Sequence, residues 1–228
     1  EVIVLDLIWF GDYLNTHPKL TVIKEDIRNC KELKLTSIDV IIHLASIAND
    51  PCGDLNSKLT WEVNALATMT LADYAVSLGV KQFIYASSGS VYGVSKQKRV
   101  KEDTNLRPIG IYANLKFAGE LMIKSYNQIF DLKYTIIRPS AVYGPKDMNR
   151  RVSQIFIENA FEKKKIYIQG KDEKLDFTFI KDLANGAILA AKSKKGVNEI
   201  FNITCGKGQT LLSYVTYLKK KFPELKYV

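Results

Sequence analysis

Phe83-Ile84-Tyr85-Ala86-Ser87-Ser88-Gly89-Ser90-Val91-Tyr92-Gly93, read with Ile111-Tyr112-Ala113-Asn114-Leu115-Lys116 downstream, is the stretch that decides the fold. The first part is an apolar run that stops in a Ser-Ser-Gly turn, as a buried strand does when it leaves a sheet. The second part opens an amphipathic segment continued by Phe117, Leu121, Ile123 and Tyr126, which reads as a helix over Ile111–Phe130. Tyr112 and Lys116 stand four positions apart, so they share one helical face. A free phenol has a pKa of about 10 and is a poor base at neutral pH. A lysine ammonium beside it favours the phenolate and lowers that value. A serine hydroxyl brought in from a neighbouring strand end can hold a substrate oxygen while the tyrosine takes its proton.

Strand-like and helix-like segments alternate outward from this centre. Val2–Leu5, Leu20–Ile23, Ile38–Ala45, Gln82–Ala86 and Tyr134–Arg138 are short apolar runs. Between the third and fourth, Leu59, Val63, Leu66, Thr70, Tyr74 and Leu78 recur at helical spacing, with Gly79 as the stop. Continuous rather than alternating apolar strands, joined by helices, predict an α/β fold with a parallel sheet covered on both faces. After Pro145 the pattern changes to a helix over Val152–Glu162, a short strand Ile166–Ile168 and a charged turn Gly170–Lys174. Strand Asp176–Ile180, helix Asp182–Lys192 and strand Glu199–Ile203 are expected to return to the main sheet, and Leu211–Phe222 closes as a helix.

Composition narrows the function classes. Apolar residues make up 46% of the 228, enough for one sizeable core or a core with a small second lobe. No run approaches the ~18 apolar residues of a membrane span, and no signal peptide is visible, so a cytoplasmic protein with no membrane partner is expected. Cys30, Cys52 and Cys205 are odd in number and lack C-x-x-C spacing, which suits a reducing compartment. With only His17 and His43, no metal site is expected, and His43 inside an apolar strand reads as a hydrogen-bonded structural histidine. The net charge of +9 permits a polyanion, but the lysines are scattered, which favours a solvated face over nucleic acid. Gly206-Lys207-Gly208-Gln209-Thr210-Leu211 mimics the start of a dinucleotide loop, yet reads as a turn with Thr210 capping the last helix.

In these motifs the chain resembles the extended short-chain dehydrogenase/reductase family, in its nucleotide-sugar epimerase and dehydratase branch. The resemblance also takes in Ile41-Ile42-His43-Leu44-Ala45, Val63-Asn64-Ala65, the run Ile137 to Pro145, the run Asp176 to Asp182, and Phe201-Asn202-Ile203-Thr204. It implies a Rossmann-type doubly wound parallel sheet with a small C-terminal substrate lobe. The expected NAD-binding domain is 1–144 with 176–204, and the expected substrate lobe is 145–175 with 205–228. The implied catalytic residues are Ser88, Tyr112 and Lys116. The implied NAD contacts are Asp6, Asp26, Ile27, Leu44, Ala45, Ser87, Tyr112, Lys116 and Arg138, with Asp6 at a strand end favouring NAD over its 2′-phosphate. Ser88, Ser90 and Arg151 are the implied substrate contacts, the partner is a nucleotide sugar, and a homodimer is admissible.

The turn after Ser88 discriminates among reactions. Dehydratases of the resembled branch carry an Asp-Glu pair there and decarboxylases a glutamate, where this chain has Gly89 and Ser90. Neither transfers a proton near neutral pH, so epimerisation is expected. The alternatives are an NAD(P)-dependent reductase, dehydrogenase or dehydratase of the same family, or a non-catalytic dinucleotide-sensing or nucleic-acid-binding relative. Two departures concern the substrate. Ala141 replaces a common asparagine, and Leu175 replaces an arginine that usually reaches a diphosphate, a charge that Lys174, Arg150 or Arg151 could supply. None of the 13 glycines forms a phosphate-binding turn ahead of Val2, so the first strand, its glycine-rich loop and the first helix are expected to lie outside these residues, the alternative being a family member that has lost the loop. NAD binding by these 228 residues alone should therefore be weak or undetectable in calorimetry, and tight binding would overturn that expectation.

Overall fold

The computed structural model describes residues 1–48, 50–95, 97, 99–149 and 151–228, and its packing divides the chain into two compact units. The larger comprises Glu1–Arg138 with Ala187–Asn202, and the smaller Pro139–Gly186 with Ile203–Val228. These boundaries fall at 138 and 186, where the sequence suggested 144 and 176.

In the larger unit β1 (Val2–Asp6) and β2 (Leu20–Lys24) form a parallel pair, Val2 opposite Leu20 and Asp6 opposite Lys24. β3 (Val40–His43), β4 (Gln82–Ala86), β5 (Tyr134–Pro139) and β8 (Glu199–Ile203) form a second sheet in that order. β3, β4 and β5 run parallel, with His43 opposite Tyr85 and Tyr85 opposite Ile136. Among the described residues no ladder joins β1 to β3. The strand expected over Ile38–Ala45 is shorter as observed, so Leu44 and Ala45 sit in the loop beyond its carboxyl end.

Parallel neighbours need crossovers, which helices supply. From β3 to β4 the chain runs through α1 (Asp50–Leu55), α2 (Ser57–Trp61), a wide π turn at Glu62–Leu66 and α3 (Ala67–Ser77). The single helix expected here is thus interrupted by the π turn, which buries Val63, Asn64 and Ala65 together. Gly79 ends the segment at φ +64°, a left-handed position that suits glycine. From β4 to β5 the crossover is α4 (Gly110–Phe130). Phe83, Tyr85, Ile123, Ile136, Leu71 and Ala72 form the heart of one core.

The smaller unit has its own sheet and core. β6 (Ala141–Tyr143) pairs parallel with β7 (Lys174–Phe179), which pairs antiparallel with β9 (Gly208–Thr210). β7 was expected in the main sheet and is found here instead, because its edges are taken by β6 and β9; β8 does join the main sheet. α5 (Val152–Phe161) and α7 (Leu211–Lys221) bury Phe156, Ala160, Val215 and Leu218 around Ile166. The strand expected at Ile166–Ile168 reduces to one bridge, Ile166 to Tyr227. Thr210 caps α7, its Oγ1 accepting from the Ser213 amide at 3.1 Å. α6 (Ile180–Lys192) begins in this unit and ends in the larger one. No helix among the described residues is long and apolar enough to cross a membrane.

The approach of α4 to β4 is set by one glycine. A Cβ on Gly119 would lie 2.1 Å from Tyr85 Oη and 2.5 Å from Cζ, so the tyrosine reaches the helix only because no side chain intervenes. Gly119→Ala should therefore lower unfolding free energy by about 1–3 kcal/mol, the usual cost of overpacking. Adding Tyr85→Phe should recover only part, since the ring carbon still clashes; urea denaturation of the single and double variants measures both.

Candidate active site

The carboxyl ends of parallel strands are where ligands bind in open α/β sheets, because loops diverge there and leave a crevice. Asp6 ends β1, Leu44 and Ala45 follow β3, and Ser87 and Ser88 follow β4. α4 brings Tyr112 and Lys116 to the same strand end.

Lys116 is buried, and its Nζ donates to the Ala86 carbonyl at 2.9 Å. It lies 5.3 Å from the Tyr85 ring centre and 5.8 Å from that of Tyr112. An ammonium so enclosed is short of water, and burial pulls its pKa down to about 7. One of its three hydrogens goes to Ala86, which leaves donors for other oxygen acceptors. Burial and the Tyr112 and Glu120 charges push the Tyr85 phenol up, so Tyr85 stays neutral beneath it. Tyr112 is partly buried at the first turn of α4.

Ser88 is extended (φ −157°, ψ 150°) and begins the tight turn Gly89–Tyr92. Its Oγ accepts from the Ser90 amide at 3.2 Å and from the Ser90 hydroxyl at 2.9 Å. With both lone pairs engaged, Ser88 is left to act as a donor toward any oxygen presented to it.

Behind this surface lies a buried ion pair. Arg138 Nε and Nη2 donate to Glu120 Oε1 and Oε2 at 2.8 and 2.6 Å, and the two side chains are 2% and 0% exposed. Ser87 Oγ donates to Glu120 Oε1 at 2.5 Å, and Arg138 Nη1 donates to Tyr92 Oη at 2.7 Å. Tyr92 Oη in turn donates to Asn202 Oδ1 at 2.8 Å. Arg138 and Ser87, expected to contact NAD, are both committed to Glu120 in the interior, because a buried guanidinium requires a carboxylate and a buried carboxylate requires donors.

The other residues expected at the cofactor differ in their freedom. The Asp6 carboxylate is exposed and accepts the Ile8 amide at 2.6 Å. Asp26 caps the turn at 27–33 and holds Arg28 by three side-chain contacts, one at 2.8 Å and two at 3.1 Å, while Ile27 packs on the core. The Arg28 guanidinium lowers the Asp26 pKa. His43 is the structural histidine expected: Nε2 bonds Thr68 Oγ1 at 2.9 Å, and burial pulls its pKa to about 3. Arg151 belongs to the smaller unit, where Nη1 donates to the Val142 carbonyl at 3.2 Å and its buried Nε has no acceptor among the described residues. Arg150 lies outside the described residues.

Two supporting groups were given no role in the sequence reading. Asn64, buried in the π turn, accepts the Ile47 amide at 2.8 Å and donates to the Ile47 carbonyl at 2.9 Å, so it pins the loop after β3 as a strand partner would. Glu120 continues the spacing Tyr112, Lys116 by one more turn; an acid on the buried face of α4 was its only signal.

A model of the NAD dependent epimerase/dehydratase family matches residues 12–204. The chain is 30% identical over 215 residues to a putative UDP-glucose 4-epimerase of Methanocaldococcus jannaschii, covering 91% of this chain and 70% of that protein. It is 29% identical over 171 residues to mouse dTDP-D-glucose 4,6-dehydratase, covering 75% of this chain and 48% of that one. Among solved structures, UDP-N-acetylglucosamine 4-epimerase from Methanobrevibacter ruminantium M1 in complex with UDP-N-acetylmuramic acid superposes with a TM-score of 0.92 at 27% identity, over 99% of this chain and 76% of that one.

The buried lysine leaves a thermodynamic trace. Lys116 keeps its proton up to about 10.5 when unfolded but only to about 7 when folded. Between those values the unfolded chain holds more protons, so stability rises with pH; below 7 the penalty for the buried charge is fully present. Lys116→Met removes this contribution. Its stability relative to the native chain should be most favourable below pH 7 and decline as pH rises toward 10.5, measured by urea denaturation at several pH values. Parallel curves would contradict the burial argument.

Proposed function

The chain belongs to the NAD dependent epimerase/dehydratase family, within the extended short-chain dehydrogenases/reductases, and we propose that it is an epimerase of nucleotide-activated sugars. The observation that carries this reading is the chemistry behind Ser88. Gly89 has no side chain, and the Ser90 hydroxyl is spent on Ser88 at 2.9 Å, so neither can remove a carbon-bound proton or protonate a leaving hydroxyl. Water loss requires such an acid and base; inversion at a carbinol carbon does not. A reductase or dehydrogenase of the same family is the second reading, since Ser88, Tyr112 and Lys116 serve it equally.

The residues fit NAD by their chemistry. The exposed Asp6 carboxylate suits ribose hydroxyls, and the remaining Lys116 donors suit a second ribose. NAD held there would supply the acceptor and donor of a hydride at the sugar carbon. The chain's own part is proton handling and positioning. Ser88 donates to the sugar hydroxyl oxygen and holds it beside Tyr112. Tyr112, as phenolate, takes the hydroxyl proton and later returns it to the same oxygen. Lys116 stabilises the phenolate, and a negative charge next to it raises its own depressed pKa and restores its proton. The larger unit is proposed as the NAD-binding domain and the smaller as the substrate lobe, with the orphaned Arg151 Nε as a donor for an anionic substrate group.

The test is product analysis with full-length protein and a panel of UDP-, GDP-, CDP- and dTDP-sugars. A stereoisomer of unchanged mass, with no net NADH, is expected. A product lighter by water would make the protein a dehydratase, and stoichiometric cofactor consumption would make it a reductase. Tyr112→Phe should lower turnover by ~10²-fold or more, the size of a general acid–base contribution, with an unchanged far-ultraviolet spectrum. Undiminished turnover would remove Tyr112 from the mechanism.

A further inference from the structure

We propose that Glu120 is a positioning residue for this reaction, setting the Ser88 hydroxyl against Tyr112 through its buried bond to Ser87; the inference rests on the epimerase reading above. Glu120 is fully buried and engaged with Arg138 and Ser87, so it touches no substrate and acts only through its neighbours.

Tyr112, Lys116 and Glu120 occupy successive turns of α4. The two lower turns each hold one residue of the strand end: Lys116 holds the Ala86 carbonyl and Glu120 holds the Ser87 hydroxyl. A single tie would let the strand end pivot about it. Two ties on consecutive residues fix both its position and its direction, and Ser88 follows immediately in an extended conformation. The far end of the same turn is held by the same pair, since Arg138 Nη1 donates to Tyr92 Oη. The turn that carries Ser88 and Ser90 is therefore clamped at Ser87 and at Tyr92 by one bidentate carboxylate–guanidinium unit, whose planar geometry stops the carboxylate from rotating.

Stability alone gives little reason for this arrangement. Buried ion pairs replaced by apolar side chains of similar volume often leave a fold equally stable, because neither charge then has to be desolvated. A catalytic hydroxyl held too loosely, in contrast, loses rate steeply with misplacement.

The experiment compares native full-length protein with Ser87→Ala, which removes only the tie, and with the pair Glu120→Met and Arg138→Met, which removes both charges together. For Ser87→Ala we expect kcat to fall about 10-fold, and for the pair about 10²-fold, the scale of a misplaced reacting group, with KM and thermal midpoint near native values. A merely structural role would lower the thermal midpoint and leave kcat per folded molecule unchanged, and that result overturns the inference. If the paired variant does not fold, Ser87→Ala alone decides by the same criterion. If the native protein turns over no nucleotide sugar, the epimerase reading fails, and hydrogen exchange decides this inference separately. The Ser90 amide, bonded to Ser88 Oγ, and the Gly93 amide, bonded to the Ser90 carbonyl, should then exchange about 10-fold faster in Ser87→Ala, as loosening of a local unit requires. Native exchange at both amides would overturn it.

Discussion

Burial of Lys116 against the end of β4 is the constraint on which the rest of the site depends. The ammonium is enclosed by the Tyr85 and Tyr112 rings and bonded to the Ala86 carbonyl, so the helix and the strand end cannot separate without exposing both. That closeness exists because residue 119 is glycine and Tyr85 reaches the helix backbone, where its hydroxyl donates to the Lys116 carbonyl at 3.4 Å. The same enclosure draws the lysine's pKa to about 7. Its charge thus responds to what sits beside it: a phenolate keeps it protonated, and an apolar neighbour does not. Packing and proton chemistry share one cause here.

A second requirement follows from the first. Bringing α4 so near to β4 also brings Glu120 into the interior, where a lone carboxylate would be intolerable. Arg138, on the adjacent strand, neutralises it, and Ser87 donates to a second lone pair of Oε1. In the smaller unit one acid plays a comparable organising part. Asp176 on β7 accepts the Cys205 amide at 2.9 Å and the Gly206 amide at 2.8 Å, and its carbonyl accepts the Ser140 hydroxyl at 2.5 Å. In both units a carboxylate fixes a turn that apolar packing alone would leave with several conformations.

Much of this was legible in the residues. The helix bearing Tyr112 and Lys116, the strand ending at Ala86, the structural role of His43 and the cap at Thr210 follow from periodicity and side-chain chemistry, which act locally. The separate sheet of the smaller unit was not legible. An apolar run such as Lys174–Phe179 carries the same period whichever neighbours take its edges, and β6 and β9 are too short, at 141–143 and 208–210, to announce themselves. The π turn at Glu62–Leu66 was equally hidden, because Leu59, Val63, Leu66 and Thr70 keep ordinary helical spacings of four, three and four across it.

The sequence by itself determined which side chains stand at the strand ends and which are absent there. Spacing along one helix suffices to put Tyr112 above Lys116, and the absence of a carboxylate after Ser88 is a matter of composition. Only the tertiary structure decided what each polar group does. Arg138 and Ser87 match ligand-contacting patterns, yet both turn inward to Glu120, while Asp6 remains exposed. The physical reason is that the fate of a charge is set by its solvation. Whether Arg138 meets water, a ligand or a carboxylate depends on how closely residues far apart in the chain are packed, and that distance is written in no local pattern.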